Sequence, residues 1–309
     1  MISTRCAICD TDDGFTVLYD ENLGIEKIDA DSFSARREVA KKSHYRMCRC
    51  NQCGLVRSHP TLDESEIIAL YKKSHFTYAC EIGNLRHTYG HYLKQLERFG
   101  AQKGRLLEIG CSTGFFLDEA LSHGYKEVCG VDLSQEAAAK APPHIRPFIT
   151  VDAFHADLFP KDHFDVICLF QTLDHLFNPK SVLRDIFALL KPHGLFLALN
   201  HNEMAFSARV LKAHSPIIDI EHTYLYNPQT IRLLCEKNGF TVHDVGVAWN
   251  KVSLEYLISL MPLPVSIKKT IRAGLRGSGL AEKSLKLPLG NLYVMAEKPR
   301  LSERSVYVH

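Results

Sequence analysis

Residues 106–116 read LLEIGCSTGFF, and residues 130–134 read GVDLS. An apolar strand runs into a turn of small residues and then a helix. About one βα unit later a second apolar strand ends in Asp132. This is a cradle for a nucleotide-type cofactor: a tight turn lets backbone N–H groups approach the ligand, and a carboxylate at the end of the next strand accepts the ribose hydroxyls. The residues placed against such a ligand are Glu108, Gly110, Cys111 and Gly114 around the turn, then Asp132 and Leu133. The G-x-G-x-x-G spacing of dinucleotide sites is absent, because Cys111, Ser112 and Thr113 separate the two glycines.

A second constellation can hold a metal. Cys6 and Cys9 form one C-x-x-C pair and Cys50 and Cys53 another, the latter followed by Gly54. Two such pairs supply four thiolates to a tetrahedral Zn2+. Gly54 suits a knuckle because it can take φ > 0 where the chain turns back. Cys48 and His44 compete as ligands. In an extended segment Cys48 and Cys50 point to opposite faces, so Cys50, with its glycine, is the choice. Residues 10–49 hold a strand-like FTVLY (15–19) and a charged run, ARREVAKK (35–42), which read as a hairpin with a loop excursion stapled by the metal. A module under about 60 residues needs such a staple. Four thiolates leave no open position, so the metal is expected to be structural.

The glycine turn resembles motif I of the class I S-adenosylmethionine (SAM) methyltransferases, with Ser112 at the usual middle glycine. Further segments carry the resemblance: PFITVDAF (147–154), FDVICLFQTLDHLFNP (164–179), SVLRDIFALLKPHGLFLALN (181–200) and EHTYLYNPQTIRLLCEKNGF (221–240). It implies a Rossmann-like α/β fold with a seven-stranded sheet and SAM as cofactor. It also implies contacts from Asp152 and Ala153 near the adenine, and from Phe170 at the end of the motif IV strand. The N-terminal stretch is similar to a zinc-binding, zinc-ribbon-like domain fused ahead of bacterial methyltransferases, some of which methylate sugars on carbon. Those enzymes usually carry a further C-terminal domain, for which this chain is too short.

The resemblance implies methyl transfer, an in-line displacement in which the protein supplies alignment, plus a base if the acceptor must lose a proton. Candidate bases follow strand ends or sit in late loops: Asp174 and His175, His201 and Glu203, and Glu221, His222 and Tyr224. His222 is the first choice and His175 the second, since a neutral imidazole suits base work near pH 7. Glu221 points away from His222 if that segment is extended. The expected acceptor is a small molecule taking the methyl on oxygen or carbon, a sugar or nucleotide-sugar foremost. An RNA methyltransferase using the zinc module to read nucleic acid, and a non-catalytic zinc scaffold, are the alternatives. With 37 basic and 35 acidic residues the charge is balanced, and no aromatic-plus-basic stripe marks a nucleic-acid surface. No N/D-P-P-Y follows the motif IV strand, and intact Glu108, Gly110, Gly114 and Asp132 argue against decay.

These residues require positioning elements. A helix is expected over Asp63–Lys73, capped by Thr61 or Asp63, and a second over Ile82–Phe99; the resemblance implies that such helices lie over the cofactor pocket. Strands are expected at 105–109, 127–131, 146–151, 164–170, 194–200, 240–247 and 291–297. The resulting organisation is a zinc module (1–60), linking or lid helices (61–100), a methyltransferase domain (101–300) with a helical insertion at 250–288, and a tail (301–309). The insertion joins an amphipathic LEYLISLMPLP to a basic IKKTIRAGLRG, read as a cap or a site for an anionic acceptor. Apolar residues make up 46% of the chain, enough for a sizeable core, yet no run approaches the ~20 residues of a membrane span. The start MISTRCAICDTDD has no apolar leader, so the ten cysteines are expected to be reduced in a cytoplasmic setting. Nothing in the sequence bears on oligomeric state.

Overall fold

The computed structural model describes residues 1–23, 28–33, 43–261 and 263–300. The charged run at 35–42 and the tail at 301–309 lie outside them. In chain order the elements are β1 (Phe15–Tyr19), β2 (Met47–Cys50), β3 (Val56–Ser58), α1 (Glu64–Lys72), α2 (Ile82–Gln95), β4 (Arg105–Ile109), α3 (Phe115–Ser122), β5 (Glu127–Asp132), α4 (Gln135–Ala139), β6 (Ile149–Val151) and β7 (Phe164–Phe170). They continue with α5 (Pro179–Leu189), β8 (Leu190–His201), α6 (Phe206–Leu211), β9 (Tyr224–Leu225), α7 (Pro228–Lys237), β10 (Thr241–Ser253), α8 (Leu254–Leu260), α9 (Val265–Gly277) and β11 (Ser284–Glu297).

A seven-stranded sheet has the order β10-β11-β8-β7-β4-β5-β6. Strands β4 to β8 run parallel, and β11 and β10 close one edge antiparallel. The central strands β4 and β7 are buried on both faces, which is why LLEI and FDVICLF read as nearly unbroken apolar runs. Strand order reverses beside β4, whose neighbours are β5 on one side and β7 on the other. Open α/β sheets bind ligands at such a reversal, beyond the carboxyl ends of the strands.

Helix starts set the loops there. Asp63 caps α1 in a capping box with Glu66, and Asn178 caps α5 with Pro179 behind it. Asn227 caps α7, with Pro228 in the first turn. Each side-chain oxygen satisfies N–H groups the helix leaves open, so the loops 171–177 and 215–223 end at defined points.

A second sheet has the order β1-β2-β3-β9. Its first three strands come from the cysteine-bearing N-terminus, and the fourth from residues 224–225. The two parts of the chain also share a core, in which Cys6, Ile8, Cys50 and Leu55 pack with Leu173, Tyr224 and Tyr226.

Two expectations change. The Lys-Pro-x-Gly turn lies inside β8 as an irregularity. Leu190 pairs with Phe164, but the next pair is Val166 with Leu195, and His193 takes φ 65°. The insertion at 250–288 is helical only in its middle. Strands β10 and β11 run on as a hairpin arm, pairing Asn250 with Leu287 through Ser253 with Ser284. The ladder satisfies backbone groups that a helix start at residue 250 would leave open. Ser253 then caps α8, its Oγ accepting from the Tyr256 N–H at 3.0 Å.

Candidate active site

At the carboxyl ends of β4 to β7 lies a cavity of about 820 Å³. The glycine turn forms its floor. Gly110 takes φ 79°, and a Cβ there would stand 2.3 Å from the Thr172 hydroxyl. Ser112 takes φ 50°, the left-handed conformation that the glycine of the usual pattern would adopt without strain. Asp132 faces this turn: one carboxylate oxygen accepts the Ser112 N–H at 2.6 Å and the other the Ser134 N–H at 2.8 Å. Burial raises the Asp132 carboxyl, and these two N–H groups oppose the shift. Glu108 is fully buried beside it. Its burial, and then repulsion from Asp132, push its carboxyl well above the ordinary range, and among the described residues its Oε2 has no hydrogen-bond partner. A small-residue cradle with a buried acceptor awaiting a donor fits a hydroxyl- and amine-bearing nucleoside.

Of the sequence-derived cofactor residues, Glu108, Gly110, Asp132, Leu133, Asp152, Ala153 and Phe170 line the cavity together. Cys111 and Gly114 do not. The Cys111 thiol is buried in the core and its N–H donates to the Val131 carbonyl. Gly114 supports the turn from behind, starting α3 at φ 68°. The sequence reading missed two aromatics. Tyr78 donates to the Ser112 hydroxyl at 2.7 Å, and Tyr89 stacks on Phe170 at 4.1 Å. Tyr89 lies in a helix read only for periodicity, and Tyr78 in the segment between the two expected helices.

The opposite pole holds a histidine–aspartate cluster. Asp174 is wholly buried. Burial would raise its carboxyl, but His175, His201 and His222 together hold it well below the usual carboxylate range. As an anion it only accepts, so His201, with Nδ1 at 2.6 Å, donates from that nitrogen. The His201 backbone N–H adds a second bond at 3.2 Å. His175 Nε2 stands 3.6 Å from the other oxygen, and its Nδ1 is 2.7 Å from the Tyr71 hydroxyl. The His222 ring lies between those of His175 and His201, at 4.7 and 4.6 Å. Burial, followed by repulsion from His201 and His175, drives His222 well below the ordinary imidazole value, so it is neutral near pH 7. Among the described residues its Nδ1 has no hydrogen-bond partner.

Two readings of this region are corrected. Residues 215–222 form turns and become extended only at Tyr224, so Glu221 and His222 both face the cavity. Glu203 lies outside it. Its carboxylate is held by Arg49 at 3.0 Å and by the Asn227 amide at 2.8 Å, a tie between β2 and the loop before α7.

Comparison with known proteins agrees with this architecture. A family profile described as a methyltransferase domain matches residues 83–245, more than half of the chain. The chain belongs to this methyltransferase family. A ubiquinone biosynthesis O-methyltransferase of Pseudomonas fluorescens is 26% identical over 179 residues, covering 53% of this chain and 76% of the relative. That of Azoarcus is 26% identical over 170 residues, covering 50% and 72%. Among solved structures, the YcgJ protein of Bacillus subtilis superposes with a TM-score of 0.50 at 19% identity, over 69% of this chain and 99% of that one. A chain from the Haloferax volcanii complex of a methyltransferase with the Trm112 activator gives 0.50 at 16%, over 76% and 98%. Both structural likenesses concern the fold alone. The protein is a SAM-dependent methyltransferase of class I.

Beside the methyltransferase's second sheet, the sulfurs of Cys6, Cys9, Cys50 and Cys53 lie within 4.8 Å of one another. Cys6 and Cys53 are 3.5 Å apart, near the edge of about 3.8 Å that a tetrahedron with Zn–S of about 2.3 Å requires. Cys53, and then a Cys9 N–H at 3.4 Å, favour the Cys6 thiolate and hold its thiol down to about 5 against burial. The donor set thus fits zinc. Cys48 and His44 are not in the group: Cys48 faces the other side of β2, and His44 Nδ1 is at 2.9 Å from the Tyr45 carbonyl. Among the described residues no helix is long and apolar enough to cross a membrane.

Two outcomes are expected. Elemental analysis gives about one zinc per chain, and Cys53→Ser loses it together with hydrogen-exchange protection in β1–β3. Calorimetry with SAM gives an affinity about ten- to a hundredfold weaker for Asp132→Asn, roughly 1.5–3 kcal/mol for a charged acceptor in a buried site. Equal affinity for the two proteins would move the cofactor elsewhere.

Proposed function

We propose that this methyltransferase methylates an oxygen or an acidic carbon of a small molecule, with the proton taken at the histidine–aspartate cluster by His222. The observation that carries the reading is a neutral, buried imidazole facing the cavity, flanked by a buried carboxylate. His175 is the second candidate, but Tyr71 and the Glu221 carbonyl both lie within bonding distance of its Nδ1. Glu108, Gly110, Asp132, Leu133, Asp152, Ala153 and Phe170 would hold SAM, which when bound supplies an electrophilic methyl on a sulfonium leaving group. On this reading His222 accepts the acceptor's proton as the nucleophile advances. Asp174 and Asp219 favour the resulting imidazolium, since both charges act to raise the His222 value. Asp174 also fixes the His201 ring against it. The zinc module would be structural, because four thiolates close the coordination sphere.

The acceptor side of the cavity is apolar: Ile217, Val252, Leu257, Leu260 and Leu289 line it, with Tyr71 and Tyr256. Phe206 stands at its lip, 83% exposed. Among the described lining residues Lys251 is the one lysine, and there is no arginine. The basic face of α9 does not supply them. Arg272 and Arg276 both donate to Glu255 of α8, and Lys268 to the Ser259 carbonyl. Among the described residues, a diphosphate buried here would lack the paired cations such groups require. These features favour an acceptor with an apolar body over the sugar or nucleotide-sugar, for which the sequence resemblance speaks.

Methyl transfer from labelled SAM to an alkyl-substituted catechol and to UDP-glucose separates the two, with turnover of the catechol expected. Turnover of UDP-glucose alone overturns the apolar reading. With an accepted substrate, His222→Ala should lower kcat by ~10²–10⁴ while SAM affinity stays near the parental value. Because the protonated base is inactive and its pKa is depressed, parental kcat should hold as pH falls through about 6.5 and decline only below it. An acid limb centred near 6.5 or higher would exclude a buried His222 as the base.

A further inference from the structure

We infer that Ser58, on the last strand of the cysteine-bearing module, is a positioning residue for His222. The inference rests on the reading of His222 as the base. His222 occupies an irregular loop, and the unpartnered Nδ1 leaves its ring orientation to its backbone and to packing between His175 and His201. That backbone is gripped from two sides. On one, the Asp174 carbonyl accepts the N–H groups of Thr223 and Tyr224 at 2.9 and 3.1 Å. On the other, the Ser58 hydroxyl donates to the His222 carbonyl at 2.7 Å, and the Ser58 N–H donates to the Thr223 carbonyl at 2.9 Å. Among the described residues, the His222 N–H makes only a long bond, to the Asp219 carbonyl at 3.4 Å.

Ser58 is itself immobilised. It is fully buried, its carbonyl accepts the Thr4 hydroxyl at 2.6 Å, and its strand pairs Val56 with Leu225 and Arg57 with Tyr224. Tyr224 then reaches back to donate to the Arg5 carbonyl at 2.8 Å, one residue before Cys6. The metal knuckle, β3 and the loop of the base are therefore one continuous hydrogen-bonded structure. A displacement of about 1 Å in such a group can cost on the order of 10²-fold in rate, so the side-chain bond from Ser58 bears on chemistry while lying outside the cavity wall.

The test uses the full-length protein and a readout that needs no acceptor. Nuclear magnetic resonance of the His222 Cε1–H, identified by its loss in His222→Ala, follows the ring's titration in the parent and in Ser58→Ala. The groups facing the ring are Asp174, His175, His201, Asp219 and Glu221, with Tyr71 behind His175. In the parent the ring should titrate well below 6.5. In Ser58→Ala a loosened loop admits water, and the midpoint should move toward about 6.5, with SAM affinity and zinc content within twofold of the parent. Ser58→Thr, which keeps the hydroxyl, should restore the low midpoint. Thr4→Val, which frees the Ser58 carbonyl, should give a smaller shift in the same direction and serves if Ser58→Ala does not fold.

On a turned-over catechol, Ser58→Ala should lower kcat about 10- to 100-fold and add little in a His222→Ala background. An unmoved titration in both Ser58→Ala and Thr4→Val overturns the positioning role. So does a kcat loss that is fully additive with His222→Ala. Parental turnover by His222→Ala overturns instead the assignment of the base, whichever way the ring titrates.

Discussion

The buried Asp174 carboxylate is the constraint on which the site depends. Taking a charge out of water costs several kcal/mol even after relaxation, and is tolerated only where attraction and hydrogen bonds offset it. Here the offset comes from the ring and backbone N–H groups of His201 and from the His175 imidazole at 3.6 Å, so the residue gathers the groups around itself. Its main chain does the same, since the carbonyl accepts two N–H groups from the late loop. One position after β7 thereby joins the ends of β7 and β8 to residues 222–224.

A consequence is that the electrostatics of the cluster are set by sharing. Each imidazole lowers the Asp174 carboxyl, while repulsion from His201 and His175 helps keep His222 neutral. A proton placed on His222 meets both that repulsion and the attraction of Asp174. Interacting groups of this kind titrate as a set, so protonation of His222 and of Asp174 is linked.

The N-terminal strands enter the same network. A four-stranded sheet whose last member is Tyr224–Leu225 is incomplete without the methyltransferase portion, and the loop before that strand is incomplete without Ser58. The Arg49–Glu203 pair and the shared core of Cys50, Leu55 and Tyr226 extend the contact. The module is built into the wall behind the cavity, which gives a small cysteine-rich segment a physical reason to precede this sheet.

Much of this was legible in the residues. LLEIGCSTGFF and GVDLS specify their cradle because turn geometry and strand ends are local, and the C-x-x-C pairs identify a thiolate set because two residues between ligands is a local distance. The apolar runs of β4 and β7 follow from burial on both faces, and Asp63, Asn178 and Asn227 mark helix starts by their own chemistry. The remainder is nonlocal. Nothing in the alternation of β3 states that it pairs with residues more than 160 positions later, and Ser58 reads as an ordinary strand serine until that pairing exists. Asp174, His201 and His222 are separated by 27 and 21 positions, and their relation arises only from sheet order. Glu203 reads as a candidate base by position and becomes an ion-pair partner once β2 lies beside it. Local sequence determined which groups are available; long-range pairing decided which of them meet, because a side chain's neighbours and its solvent are properties of the packed chain.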